Sequence, residues 1–477
     1  MRRIWCKTAM LEDGWADDIV LEIDEAGMIQ SIEAGADTRG CERIEGAVLP
    51  GMGNLHSHAF QRAMAGLAEQ TGTKDPGDSK LAKGDDFWGW RDVMYGFLAR
   101  LAPDQVEAIA GWLYLEMLKG GYTGVAEFHY LHNAPDGSAY EDSTEMSSRI
   151  IAAANRAGIA LTLLPVLYQT SDFGGQPAVD AQVRFAKSTS EYLAMLETLH
   201  ARHAGKLDFR LGIAAHSLRA VPPEALSEML EGAGAIDPTM PIHIHIAETT
   251  KEVADCIAWS GAPPVAWLLD HAAVDHHWTL VHATHMSEVE IRRAARSGSI
   301  AGLCPTTEAN LGDGLFALPD YLREGGRIGI GSDANVALDP FEELRLLDYG
   351  QRLIHRQRSP SLPEPSQPDP SLPDQSASIG AGLWRRALDG GATALGTQTG
   401  CLAPGYRADL IVIDTDQAGL AGRSGEFLLD SLVFAPARDA IRDVMVGGAW
   451  VIKDRRHEAE DDLAVKYLAA VTEMMAG

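Results

Sequence analysis

The stretch Pro50-Gly51-Met52-Gly53-Asn54-Leu55-His56-Ser57-His58-Ala59-Phe60-Gln61 decides how the rest of the chain is read. An apolar run, Gly46-Ala47-Val48-Leu49, leads into it. The pattern is a strand that stops at a Gly/Asn turn and then presents two histidines. In an extended segment residues i and i+2 point to the same side, so His56 and His58 can aim both imidazoles at one ion. Imidazole suits zinc, and two nitrogens leave positions for ligands from elsewhere. Alone, His-x-His is more often a pair of surface or core histidines. The surrounding chain has to decide.

Downstream, to about residue 400, strand-like and helix-like runs alternate. The candidate strands after the first are 123–130, 159–167, 207–217, 241–248, 278–285, 299–306 and 327–335. Helical periodicity marks 104–119, 144–157, 181–200, 223–231 and 288–297 between them. Alternation of this kind means parallel strands, and eight such units suggest a (β/α)8 TIM barrel. The strands are apolar nearly throughout, as strands covered on both faces should be.

Upstream, Ile19–Ile23 and Met28–Ile32 flank the turn signal Asp24-Glu25-Ala26-Gly27. Near the other end, Ala408–Ile413 and Asp443–Ile452 are again strand-like, the latter folded at Gly447-Gly448. The expected organisation is a small β-sandwich domain built from both chain ends, 1–48 and 401–460. It flanks a barrel over 49–400, and a helix over 461–477 closes the chain. Ser359 to Ser378 is Pro/Ser-rich with almost nothing to bury, and reads as a flexible surface insertion in the barrel.

Net charge is −27, from 67 acidic against 40 basic side chains. That argues against nucleic acid and anionic membrane as partners, because the field of the whole molecule repels phosphate. A small anionic substrate is compatible with it, since a local arginine pair outweighs a screened distant field. The five cysteines are scattered, with no Cys-x-x-Cys. They fit a reducing compartment. No apolar run approaches a membrane span of about 18 residues, and no apolar segment of a secretory signal follows the basic start. The expected location is cytoplasmic.

Barrel enzymes carry their chemistry at the C-terminal ends of strands. Strand one ends in His56 and His58, and strand five in His243-Ile244-His245-Ile246-Ala247-Glu248. Strand six ends in His282 and strand eight in Asp333. His243 and His245 share a face, but His245 is nearer the functional end and is the better ligand. His243, about 7 Å deeper, reads as a hydrogen-bonded core histidine. Glu248 has the wrong strand parity to share that face, so it must lie where the strand has become a loop.

These motifs, in this order, resemble the amidohydrolase superfamily over nearly the whole chain. Within it, Asn54–Gly66, Phe87-Trp88-Gly89-Trp90-Arg91, Ala215-His216-Ser217-Leu218-Arg219 and Cys304–Gly314 are similar to the formimidoylglutamate deiminase family. The resemblance implies one Zn2+ per chain, held by His56, His58, His245 and Asp333. Binuclear members carry a modified lysine at the end of strand four. Here that strand ends without lysine, and Lys206 is at its wrong end.

The implied reaction is hydrolysis of N-formimidoyl-L-glutamate to N-formyl-L-glutamate and ammonia, in histidine degradation. Asp333 would take a proton from the attacking water, Glu248 would protonate the imino nitrogen, and His282 would orient the attacking oxygen. The alternative for Glu248 and His282 is to orient metal ligands. A dicarboxylate substrate calls for arginine, whose planar fork binds carboxylate in a bidentate way. Arg219 and Arg91 are the candidates, although Arg91 could instead stack on Trp88 or Trp90. The resemblance adds Gln61, Tyr130 and His216 to the pocket and implies a homodimer. The Gly-rich stretch 71–84 and the Trp-rich loop 87–97 are long for a connection and could form a lid, or the aromatics could make a dimer contact. Two rival readings stay open: a zinc aminohydrolase of purine, pyrimidine or triazine rings, and a non-catalytic relative that keeps the barrel as a scaffold.

Overall fold

The computed structural model describes residues 1–67, 69, 94–362, 378–435 and 439–476. Arg91, Trp88, Trp90 and most of the expected insertion at 359–378 lie outside these residues.

Two sheets organise the chain. The larger is a nearly closed barrel of eight parallel strand positions. In order these are Met52–Ser57, Tyr122–His129, Ala160–Leu167, a split fourth, Ile242–Ile246, Trp278–His282, Ile300–Leu303 and Arg327–Ile330. The fourth breaks at Gly212 into Phe209–Leu211 and Ile213–Ala215. Both pieces pair with strand three, and only the second pairs with strand five. Every residue of the strands at 52–57, 122–129 and 160–167 is buried, as in a sheet wrapped by helices. Strands five, six and eight stop short of the expected ends because the functional residues have already turned out of the sheet.

Closure between strands eight and one occurs at the functional end. The amides of Ser332 and Asp333 donate to the His56 carbonyl at 3.1 and 2.9 Å, and the His58 amide donates to the Asp333 carbonyl at 3.0 Å. Buried side chains reinforce this seam. Asn54 Nδ2 donates to Ser332 Oγ at 2.7 Å, Ser332 Oγ to Asn335 Oδ1 at 2.6 Å, and Asn335 Nδ2 to the His58 carbonyl at 3.0 Å.

The smaller sheet has seven strands from both ends of the chain. Their order is 449–452, 441–446, 410–413, 42–50, 2–11, 14–23 and 29–34. The hairpin expected at Gly447-Gly448 is present, and both glycines take positive φ (54° and 74°), the backbone a two-residue turn of this hand requires. Alternation assigns the two faces. Ile4, Cys6, Leu21, Val48, Leu410 and Val412 fall in a small core of this sheet's own. Ala47, Leu49, Ile411 and Ile413 fall in the barrel's core. The sandwich expected from the sequence is therefore one continuous path of strands with its own core. Strand 42–50 passes directly into barrel strand one through Gly51, where a Cβ would collide with the Thr123 side chain.

The closing helix, Glu460–Ala476, packs on the barrel helix Pro103–Gly120. Gln105 donates to Glu473 at 3.1 Å and Lys119 pairs with Glu460 at 2.5 Å. Among the described residues, no helix is long and apolar enough to cross a membrane.

Candidate active site and metal centre

Four sequence-distant side chains meet at the barrel mouth. One donor atom each from His56, His58, His245 and Asp333 lies within 4.8 Å of the others, and all four residues are buried. His56 Nε2 is 3.2 Å from His58 Nε2 and 3.0 Å from His245 Nε2. Asp333 Oδ1 is 3.4 Å from His56 Nε2 and 3.2 Å from His58 Nε2.

The hydrogen bonds around the cluster fix what these nitrogens can be. His58 Nδ1 sits 3.0 Å from the Phe128 carbonyl, and His245 Nδ1 sits 3.0 Å from the His216 carbonyl. A carbonyl only accepts, so both Nδ1 atoms carry a proton, and in a neutral ring Nε2 is then a bare lone pair. Both of these Nε2 atoms face His56 Nε2, at 3.2 and 3.0 Å; a single proton there can serve only one of them in a linear bond, whereas one cation serves all three nitrogens. Burial, with the neighbouring imidazoles, holds His245 well below the usual histidine range, and burial pulls His56 down to about 3. Neither therefore supplies that charge as a proton. A tetrahedral ion with Zn–N bonds of 2.0–2.1 Å separates its ligands by about 3.3 Å. The donor set and its spacing fit zinc.

Backbone strain marks the same place. Ala247 (φ 53°), His282 (φ 67°), Ala283 (φ 49°), Asp333 (φ 46°) and Asn335 (φ 59°) occupy the left-handed region at the ends of strands five, six and eight. Non-glycine residues there cost about 1–3 kcal/mol each and cluster at functional sites. At Ala247 the consequence is direct. The turn breaks strand parity and brings Glu248 round to the His245 side. The amides of Ala247 and Glu248 donate to the Glu252 carboxylate at 3.2 and 3.3 Å, which pins the turn.

Beyond the cluster lie Glu248 and His282. His282 Nε2 is 3.7 Å from Glu248 Oε1 and 3.8 Å from Asp333 Oδ2. Its Nδ1 is held by Glu308 Oε1 at 3.3 Å. Burial raises the Glu248 carboxyl, with Asp333 and Glu252 adding to it against the pull of His282 and Arg219. Burial lowers His282, but Glu248, Glu308 and Asp333 more than reverse this and push it up to about 10.

His58, His245, Glu248, His282 and Asp333 open into one cavity, which Gln61, Tyr130, His216 and Arg219 also line. Gln61 Nε2 donates to Tyr130 Oη at 3.0 Å, while its Oε1 is buried without a partner. Among the described residues, Arg219 Nε likewise is buried without a partner. Burial lowers the Arg219 guanidinium, but Glu252 and Glu248 outweigh that and raise it, so it stays charged. The structure therefore brings together every site residue expected from the sequence except Arg91, which lies outside the described residues. His243 is elsewhere, donating Nε2 to the Ala394 carbonyl at 2.8 Å. Sequence reasoning missed Glu308, Glu252, Glu127 and Asp313. Glu127 accepts the Ala59 amide at 2.6 Å beneath the His58 turn. Asp313 has a buried oxygen without a partner, and burial, with the nearby carboxylates, pushes it up to about 8. Glu308 and Asp313 lay within the quoted Cys304–Gly314 motif, which marked the segment but not what either carboxylate holds.

The family model described as "Amidohydrolase family" matches residues 47–451. The chain belongs to the amidohydrolase family. The model "Formimidoylglutamate deiminase HutF, N-terminal domain" matches residues 1–46 of this amidohydrolase. The chain is 50% identical, over 100% of both lengths, to a formimidoylglutamate deiminase of Pseudomonas aeruginosa. It superposes on an amidohydrolase of Brucella melitensis with a TM-score of 0.90 at 42% identity, covering 100% of each chain. An adenosine deaminase of Xanthomonas campestris solved with bound zinc gives 0.79 at 22% identity, over 100% of this chain and 98% of that one. That last likeness is one of fold.

Proposed function

We propose that this amidohydrolase hydrolyses the C=N bond of N-formimidoyl-L-glutamate, releasing ammonia and N-formyl-L-glutamate. The observation that carries the reading is 50% identity along the entire length of a formimidoylglutamate deiminase. The site chemistry supports it independently. One zinc ion per chain would be held by His56, His58, His245 and Asp333. When bound, it would lower the pKa of a water molecule to about 7 and polarise it for attack.

The chain's own groups do the rest. Asp333 divides its oxygens: Oδ1 faces the histidine cluster and Oδ2 faces His282. Oδ2 can take the proton of the attacking water. Burial raises the proton affinity of the Glu248 carboxyl, which can pass a proton to the imino nitrogen. The proton taken from the water by Asp333 gives that nitrogen its third hydrogen, so that it leaves as ammonia, and the remaining hydroxyl proton returns to Glu248 as the formyl carbonyl forms. His282 Nε2, between Glu248 and Asp333, orients the attacking oxygen. Each such acid–base contribution is typically worth 10²–10⁴-fold. Arg219 pairs with one substrate carboxylate, and Arg91 is proposed for the other. Gln61 and Tyr130 offer further donors, His216 holds His245 through its carbonyl, and Met94, Phe185 and Leu311 exclude water from the cavity.

The same reading extends to the organisation given above, with residues 1–48 and 401–460 forming one domain and 49–400 the barrel. From the resemblance it also takes a homodimer, a cytoplasmic location and a place in histidine degradation. The test is ammonia release from N-formimidoyl-L-glutamate set against a panel of purine, pyrimidine and triazine amines. The reading requires kcat/KM for the formimidoyl substrate to exceed that of every ring amine by at least about 10²-fold, the discrimination a site gains from pairing charged groups. Preference for a ring amine would replace it with the rival aminohydrolase.

A further inference from the structure

A second group of donors adjoins the first. His282, Cys304 and Asp333 each place a ligand atom within 4.8 Å of the other two, and all three are buried. They come from the ends of strands six, seven and eight, so the barrel itself holds them side by side. The donor set of imidazole nitrogen, thiol sulfur and carboxylate oxygen is the mixture that zinc and cobalt accept.

Two further observations point to a ligand there. His282 Nδ1 lies against Glu308 Oε1 at 3.3 Å. A carboxylate behind the far nitrogen is the arrangement that orients a metal-ligating histidine and makes its near nitrogen more basic. That near nitrogen, Nε2, looks at two carboxylates at once, Glu248 Oε1 at 3.7 Å and Asp333 Oδ2 at 3.8 Å. Asp333 turns its other oxygen, Oδ1, toward His56 and His58, so one carboxylate can serve both groups without rotating.

We infer that His282, Cys304 and Asp333, with Glu248 within reach, form a second, inhibitory site for a divalent transition-metal ion. This rests on the reading that the first group holds the resident zinc. The second ion would bind more weakly than the first, because the Asp333 carboxylate is shared with the resident centre and both the Cys304 thiol and His282 Nε2 must release a proton to solvent when the metal binds. It would inhibit because it takes the Nε2 of His282 and an oxygen of Asp333, both of which the proposed reaction uses. Cys304 itself has no part in the proposed chemistry.

The experiment starts from protein loaded with one zinc per chain and active in ammonia release, so that failure of the functional reading shows at the outset. Cobalt(II) is then titrated in. The inference requires a second equivalent to bind, a thiolate-to-cobalt charge-transfer band to appear in the near ultraviolet, and activity to fall by about 10²-fold, the contribution of one acid–base group. A chelator too weak to strip the resident zinc should reverse both changes. Cys304→Ser should keep the resident zinc and the ammonia-releasing activity, lose the band and bind the second ion more weakly. Cys304→Ala provides the same comparison should the serine variant fold poorly. Wild-type protein that takes up no second ion, or that takes it up without the band, overturns the inference. A band that persists in the Cys304 variants assigns the thiolate to another cysteine and overturns it equally.

Discussion

Glu248 shows most plainly how one residue links sequence to chemistry. Its position after His243-Ile244-His245 gives it the wrong parity for the strand, so a role at the site demands a turn before it. The turn is at Ala247, with φ 53°, and Glu252 holds it through two amides. A Glu248→Gln variant keeps the side chain's shape and removes the acid. It should retain zinc and bind substrate, while kcat falls at least about 10²-fold. Metal analysis beside the kinetics decides the matter: loss of the metal would make Glu248 a ligand or a support for one.

Arg219 makes the parallel case for binding. A charged donor with a buried, unpartnered Nε costs free energy until an anion arrives. Arg219→Met should lower kcat/KM for N-formimidoyl-L-glutamate by about 10²–10³-fold, since truncation strands the partner carboxylate at roughly 2–5 kcal/mol. An analogue lacking that carboxylate should lose far less. Equal losses on both would make Arg219 structural.

The two histidines of strand five were separable from sequence by depth alone, and the structure separates them the same way, His245 in the cluster and His243 on the Ala394 carbonyl. Glu308 was not separable. Its job is to hold His282, which lies 26 positions earlier, and no local spacing announces a partner that only strand order brings near.

At the scale of elements, the alternation of apolar runs with helical periodicity was enough to place eight strand positions. What it could not give is where each strand stops. Expected ends at 248, 285 and 335 ran past observed ends at Ile246, His282 and Ile330. The overshoot is the chemistry: residues after those points leave extended geometry to point into the mouth. Composition also gave no sign that strand four would break at Gly212. The barrel's closure depends on such an element end. Asn335 has φ 59° and bridges strand eight to the His58 carbonyl. Asn335→Ala should lower stability by about 2–4 kcal/mol, from stranded buried polar groups and the left-handed backbone together. Asn335→Gly should recover only the backbone part. Denaturant midpoints measure both, and an unchanged midpoint for the alanine variant would mean that the seam does not depend on this clasp.

For the molecule as a whole, the acidic surface and the cationic demand of the substrate pull in opposite directions. A net charge of −27 repels a dicarboxylate at long range, whereas screening confines that repulsion to about 10 Å at ordinary salt. Recognition is therefore left to arginine at the mouth, and the sequence could say this much because Arg219 follows the end of strand four. The small sheet was legible only in part. Three short runs and a hairpin were visible, but the strand Arg2–Leu11 was not singled out, because its polar and apolar residues alternate irregularly before pairing with both neighbours.

The central claim is that one metal ion, held by four converging side chains, makes this barrel a deiminase. Chelator-stripped protein titrated with zinc, with ammonia release from N-formimidoyl-L-glutamate followed at each addition, tests it most directly. The account predicts no activity in the stripped protein and a linear rise that breaks at one equivalent per chain. Activity that needs two equivalents, or stripped protein that works as well as the loaded form, would contradict it.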